Sequence, residues 1–191
     1  MSSPKKIAIL ASGSGTNAQK IFETFESDDD VKVVALMSNK SDAYALKRAE
    51  NFNIPTFVFN REDSNSGKLL ERLNAYEVDL VVLAGFLWKI PDNITKVYKN
   101  RIINIHPSLL PKYGGKGMYG MNVHQAVVDA KEKESGITIH YVNEFYDEGE
   151  VIFQATCEVL PTDTPDSLAQ KIHALEYANF PRVIKETLSA M

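Results

Sequence analysis

The strongest constraint on this chain is a rhythm in which short apolar runs alternate with helical stripes. Residues 7–11, 31–37, 56–59, 80–84 and 102–106 are mainly apolar or β-branched runs bounded by turn formers, so each reads as a strand. Between them, Ile21, Phe22 and Phe25, then Ala43, Leu46, Ala49 and Phe52, then Leu69, Leu70, Leu73 and Tyr76 keep helical spacing. A short helix follows Pro91-Asp92 and carries Ile94, Val97 and Tyr98. Strands that alternate with helices join into a parallel sheet through right-handed crossovers, with helices on both faces. The predicted fold is α/β, a single doubly wound, mostly parallel sheet. Near the C-terminus, 137–142 alternates as a strand and 151–160 runs back after a turn, which predicts an antiparallel edge pair.

Other stretches read more simply. Residues 60–67 are polar and predict a loop, and 112–120 hold four glycines in nine residues, an exposed and adaptable loop. Val123, Ala126, Val127 and Ala130 restore a helix. Thr164-Pro165 starts the last one with a capping hydroxyl and a proline at the first helical position. Pro181 lacks the donor for the preceding turn and predicts a kink or restart there.

At 191 residues the chain fits one domain over 1–191. Its 21 basic and 25 acidic residues give a formal charge of −4, and the basic ones are scattered, which argues against nucleic acid as a partner. The lone Cys157 forms no internal disulfide, so a reducing, cytoplasmic setting fits. The first apolar run is too short for a signal sequence or a membrane span.

Three stretches carry chemistry. Gly13-Ser14-Gly15-Thr16-Asn17-Ala18 fits G-x-G-x-x-A between a strand and a helix, where backbone N–H groups and the helix dipole face an anion. A dinucleotide site also wants an acidic residue at the end of the second strand, and this chain has Ser38-Asn39-Lys40 there. A phosphomonoester is the simpler guest, although Lys40 would suit NADP. The second stretch is Asn104-Ile105-His106-Pro107, which places an amide and an imidazole on one face of a strand that Pro107 stops. Such a pair can stabilise an oxyanion and move a proton, or can be a satisfied structural pair. The third is the acidic turn 143–150, with four carboxylates in eight residues. In Asp147-Glu148-Gly149 the Asp-x-Gly spacing can lock the Asp147 carboxylate against a fixed partner. If that partner is His106, the carboxylate orients the ring and favours its protonated form.

With these pieces together, the chain resembles the folate-dependent formyltransferases from end to end. The resemblance rests on residues 12–17, Met37-Ser38-Asn39-Lys40, Val81-Val82-Leu83-Ala84-Gly85-Phe86, Asn104-Ile105-His106-Pro107-Ser108-Leu109-Leu110-Pro111, Asp147-Glu148-Gly149 and Glu176. It implies a Rossmann-like formyltransferase fold, with the N-terminal half binding a phosphoribosyl substrate and the C-terminal half binding folate and doing the chemistry. The implied reaction moves the formyl group of 10-formyltetrahydrofolate to the amine of phosphoribosylglycinamide, in purine biosynthesis, with no metal. By the same resemblance Asn104, His106 and Asp147 are catalytic. Gly15, Thr16 and Asn17 bind phosphate, and Glu176 contacts the ribose or glycinamide end; His173, one turn before it by helical spacing, either shares that face toward the substrate or is a surface residue. Leu87, Trp88, Lys89, Ile90, Asn104, Asn143, Glu144, Phe145, Tyr146 and Asp147 form the folate pocket. A cis peptide before Pro111 is also implied.

Two departures are visible. Trp88 stands where the family has an arginine, and the glycine-rich loop 114–120 is longer than the usual form, which leaves His124 without an assigned role. His140 alternates with Ile139 and Tyr141 and either backs the site or is simply buried. Small molecules are the expected partners, and the chain is expected to be a monomer or homodimer. The alternatives are a formyltransferase for a sugar-nucleotide amine, an NADP-dependent oxidoreductase, and a non-catalytic phosphosugar-binding domain.

Overall fold

Side chains that alternate along the first strand, β1 (Lys5–Leu10), divide the core in two. Ile7 and Ile9 enter one apolar cluster, whereas Ala8 and Leu10 enter the other on the opposite face. The computed structural model describes residues 3–191. In it, β1 pairs in parallel with β2 (Val31–Ser38) on one side and β4 (Leu80–Leu83) on the other. β3 (Thr56–Val58) extends the sheet beyond β2, and β5 (Ile102–His106) extends it beyond β4, both in parallel. Then β6 (Glu134–Tyr141) and β7 (Val151–Glu158) add on antiparallel, for the order β3-β2-β1-β4-β5-β6-β7. This is the doubly wound, mostly parallel sheet with an antiparallel edge that the strand and helix rhythm predicts.

Helices cover both faces. α1 (Thr16–Phe25), α2 (Tyr44–Asn51), α6 (Met121–Asp129) and α7 (Pro165–Ser189) pack on the face of Ile7 and Ile9 through Ile21, Phe22, Ala45, Val123 and Ile172, among others. α4 (Lys68–Ala75) and α5 (Asp92–Val97) pack on the face of Leu10 through Leu69, Leu73 and Ile94. Among the described residues, no helix is long and apolar enough to cross a membrane.

Two local expectations are corrected. The polar stretch 60–67 is not all loop: α3 (Arg61–Asn65) forms there on a capping box, with the Asn60 side chain accepting from Asp63 N–H and the Asp63 carboxylate accepting from Asn60 N–H. The helix that begins at Pro165 does not restart at Pro181 but continues to Ser189. Phe180, Pro181, Val183 and Ile184 are all buried, so packing holds the turn that one missing N–H would otherwise weaken. Smaller shifts follow from pairing. β6 starts at Glu134, earlier than its alternation suggests, because Glu134 to Ile137 already pair with β7.

All five parallel strands end at one edge of the sheet, and the chain leaves β1 toward β2 but returns later to β4. The crevice between β1 and β4 is therefore the switch point at which such sheets take ligands. Gly15 begins α1 there with φ +73, and a Cβ on it would meet Ala45 Cβ at 2.5 Å and Cα at 2.6 Å. A Cβ on Gly13 would meet nothing within 4 Å. Gly15→Ala is expected to cost about 2 to 4 kcal/mol of unfolding free energy, from left-handed strain plus overpacking. Gly13→Ala is expected to be neutral or stabilising by up to about 1 kcal/mol. Urea denaturation of the two variants checks the contrast.

Candidate functional site

The strand ends open into a cleft of about 630 Å³, within the usual size of a small-molecule site. One wall is the glycine loop from Gly13 to Asn17. Gly15 caps α1 with no side-chain hydrogen bond, and no acidic residue stands in the first turn. The first-turn N–H groups thus have no partner of their own in the helix and suit an anion. From α7, Glu176 reaches the same wall and accepts from Asn17 Nδ2 at 2.9 Å. Burial pushes the Glu176 carboxyl up to about 7, against a smaller opposing effect of the Asn17 amide. His173 and His124 also line this end. His124 is buried and its Nδ1 has no hydrogen-bond partner. Burial, with His173 nearby, pushes its imidazole down to about 4, so the ring is neutral near pH 7.

The other wall is built on β5. Ile103 and Ile105 face the core, while Asn104 and His106 turn to the cleft. His106 is only 4% exposed, and its Nε2 lies 2.8 Å from the Tyr113 carbonyl, which can only accept. Nε2 therefore carries a proton and donates it, leaving Nδ1 as the ring atom without a hydrogen bond. Asp147 Oδ2 stands 3.6 Å from that Nδ1. The separation is too long for a direct hydrogen bond but leaves the carboxylate facing the ring edge. Asp147 itself sits at φ +55, and its Oδ2 accepts from Gly115 N–H at 2.9 Å.

His140 is opposite Asn104 in the β5–β6 register. Its Nδ1 lies 2.9 Å from the Tyr141 carbonyl, so Nδ1 is the protonated nitrogen. Burial holds this imidazole below its usual range, and the neutral ring offers the Nε2 lone pair to Asn104 Nδ2 at 3.1 Å. That contact sets which end of the Asn104 amide is nitrogen. One N–H is tied to His140 and the second remains free. The segment that begins at Leu110-Pro111, a cis peptide, leads into the loop that carries Tyr113 and Gly115.

Residues expected at a folate pocket divide. Leu87 lines the cleft, as do Tyr146 and Asp147. Trp88, Lys89 and Ile90 line a second depression of about 310 Å³ with Arg61. Asn143, Glu144 and Phe145 are not on either wall. Asn143 Oδ1 instead accepts from Phe145 N–H at 2.9 Å and shapes the turn that presents Asp147. The Arg61 guanidinium stacks 4.2 Å above the Trp88 ring, so the rim keeps a cation although Trp88 is not one. Sequence reasoning missed Arg61 because it took 60–67 as loop; the Asn60-x-x-Asp63 capping box was the available signal. Ser12 joins the two ends of the site. Its hydroxyl, 2% exposed with its residue, donates to Asn39 Oδ1 at 2.6 Å and accepts from Leu87 N–H at 3.0 Å.

Residues 5–184 match the family described as formyl transferase. The chain belongs to that family. This sets aside the oxidoreductase and the phosphosugar-binding domain as family assignments. The formyl transferase is 42% identical over 188 residues to a chloroplastic phosphoribosylglycinamide formyltransferase of Arabidopsis thaliana, covering 94% of this chain and 64% of that one. It is 40% identical to the phosphoribosylglycinamide formyltransferase of Haemophilus influenzae, covering 95% of this chain and 86% of the relative. Among solved structures, the phosphoribosylglycinamide formyltransferase of Anaplasma phagocytophilum superposes with a TM-score of 0.87 at 36% identity. That match covers 96% of this chain and 86% of the other.

Glu176 makes a pH-dependent contribution to stability. Its folded pKa of about 7 lies above the ordinary 4.5, so the native state holds the proton more tightly and ionisation opposes folding. The melting temperature is expected to fall as pH rises from about 4.5 to about 7 on account of this group. Glu176→Gln should flatten that fall and be the more stable protein at pH 8, read by calorimetry across pH.

Proposed function

We propose that this formyl transferase moves the formyl group of 10-formyltetrahydrofolate to the amine of 5-phosphoribosylglycinamide. The observation that carries the proposal is the convergence, in one cleft, of an anion-binding helix start and the Asn104, His106 and Asp147 constellation. A phosphate held by Gly15, Thr16 and Asn17, with the sugar against Glu176 and His173, directs the glycine amine toward β5. The folate enters from the side of Leu87, Tyr146 and Asp147, with its charged tail toward Arg61 and Lys89.

The chemistry then follows from the protein groups. Attack of the amine on the formyl carbon forms a C–N bond and places negative charge on the former carbonyl oxygen. The free N–H of Asn104, aimed by His140, stabilises that oxyanion. Collapse breaks the bond to the folate N10, which must gain the proton that the attacking amine loses. His106 carries that proton on Nδ1, directly or through a water, while Asp147 stabilises the ring as it becomes positive. The lone cysteine fits an enzyme of a reducing compartment such as the cytoplasm.

An assay with both compounds should show loss of the formyl folate by absorbance only when the amine is present. Amine-independent loss, or none, defeats the proposal. In His106→Ala, kcat should fall by roughly a hundredfold or more while both substrates bind within a few-fold of normal. His140→Leu frees the Asn104 amide to flip, and kcat should fall about tenfold or more with little change in either KM. His140→Gln, whose Oε1 can accept from the amide, should recover part of the loss, and a change confined to KM would refute the aiming role.

A further inference from the structure

Both proposed ligands are anions, one through a phosphate and the other through the carboxylates of its tail, yet the 630 Å³ cleft is lined by a single lysine and no arginine. That lysine is Lys116, in the glycine-rich loop. Asp147 and Glu176 share the wall with it, together with three imidazoles. The cations beside the folate segment are accounted for separately, since Arg61 stacks on Trp88 and Lys89 lies 3.8 Å from Asp92. At the phosphate end, Arg48 comes near but is committed. Its Nε donates to the Ser14 carbonyl at 2.7 Å, its guanidinium lies over the Tyr44 ring, and it is not on the cleft wall. The loop from Gly13 to Asn17 thus offers a dianion only neutral donors, beside a carboxyl that titrates near 7.

Lys116 is built to meet that need. It stands between Gly115 and Gly117, both at φ +89, in a turn closed by Met118 N–H to the Gly115 carbonyl at 3.1 Å. Gly115 N–H is anchored on Asp147, and Met118 packs on the apolar cluster that α1 and α7 share. The turn therefore sits on the α1 and α7 side of the sheet, away from the Trp88 cluster on the other face. Lys116 is exposed and has no carboxylate partner among the described residues, so its ammonium is free to turn onto a ligand. We propose that Lys116 is the cationic contact for the phosphate of the amine substrate. The inference rests on the formyl-transfer proposal above and adds a residue that recognises the phosphate by charge.

Lys116→Met keeps the stem and removes the charge. With phosphoribosylglycinamide the variant should lose about tenfold in kcat/KM, carried by KM for the amine. With the same amine lacking its phosphate, wild type and variant should be alike, and Lys116→Arg should keep most of the wild-type value. Equal losses on the two amines, or a loss in KM for the folate instead, would overturn the proposal. Ribose 5-phosphate binding by calorimetry needs no turnover and should weaken about tenfold in Lys116→Met. Unchanged affinity there overturns the role of Lys116 whatever the activity. A wild type that binds ribose 5-phosphate but transfers no formyl group overturns the formyl-transfer proposal alone.

Discussion

Parallel pairing of β1 with β2 and β4 places the C-terminal ends of the strands at one edge, and the site depends on that. A parallel sheet buries its strands on both faces, so their polar continuations gather where the strands stop. The glycine loop after β1, Gly85 after β4 and Asn104-x-His106 at the end of β5 meet there although they are far apart in the chain. Antiparallel addition of β6 then sets His140 beside Asn104.

Within the cleft, burial does much of the electrostatic tuning. Desolvation keeps His140 and His124 neutral, and neutrality gives His140 the lone pair that aims Asn104. The same effect holds Glu176 near the middle of the physiological range, in contact with the Asn17 amide. Asp147 differs. It is anchored through Gly115 N–H and faces both His106 and His140, so a single carboxylate ties the glycine-rich loop to the two imidazoles. Lys116 rides on that same turn, so the Asp147 carboxylate that anchors the turn also helps to place the lysine of the cleft wall.

Much of this was legible before the fold was known. Apolar runs with helical stripes between them sufficed for the sheet and its layers, because strand and helix periods differ and turn residues separate them. Asn104, His106 and the glycine loop stood out because each breaks an apolar pattern at a strand end. Other features were less legible. The stretch 60–67 hid α3, since a five-residue helix has no apolar stripe, and Arg61 was lost with it. At Pro181 the helix does not restart, because the missing donor is outweighed by the burial of Phe180, Val183 and Ile184.

The sequence by itself determined the order of elements, the glycine turn before α1 and the polar pair at the end of β5, all of which follow from local pattern. The folded structure decided which nitrogen of His106 and of His140 carries a proton, because that depends on how the Tyr113 and Tyr141 carbonyls face the rings. It also decided that Asn17 meets Glu176 across 159 positions, and that Ser12 ties the glycine loop to Leu87. The last two are contacts between residues remote in the chain, fixed by how the strands pair and the helices pack, and periodicity carries no information about them.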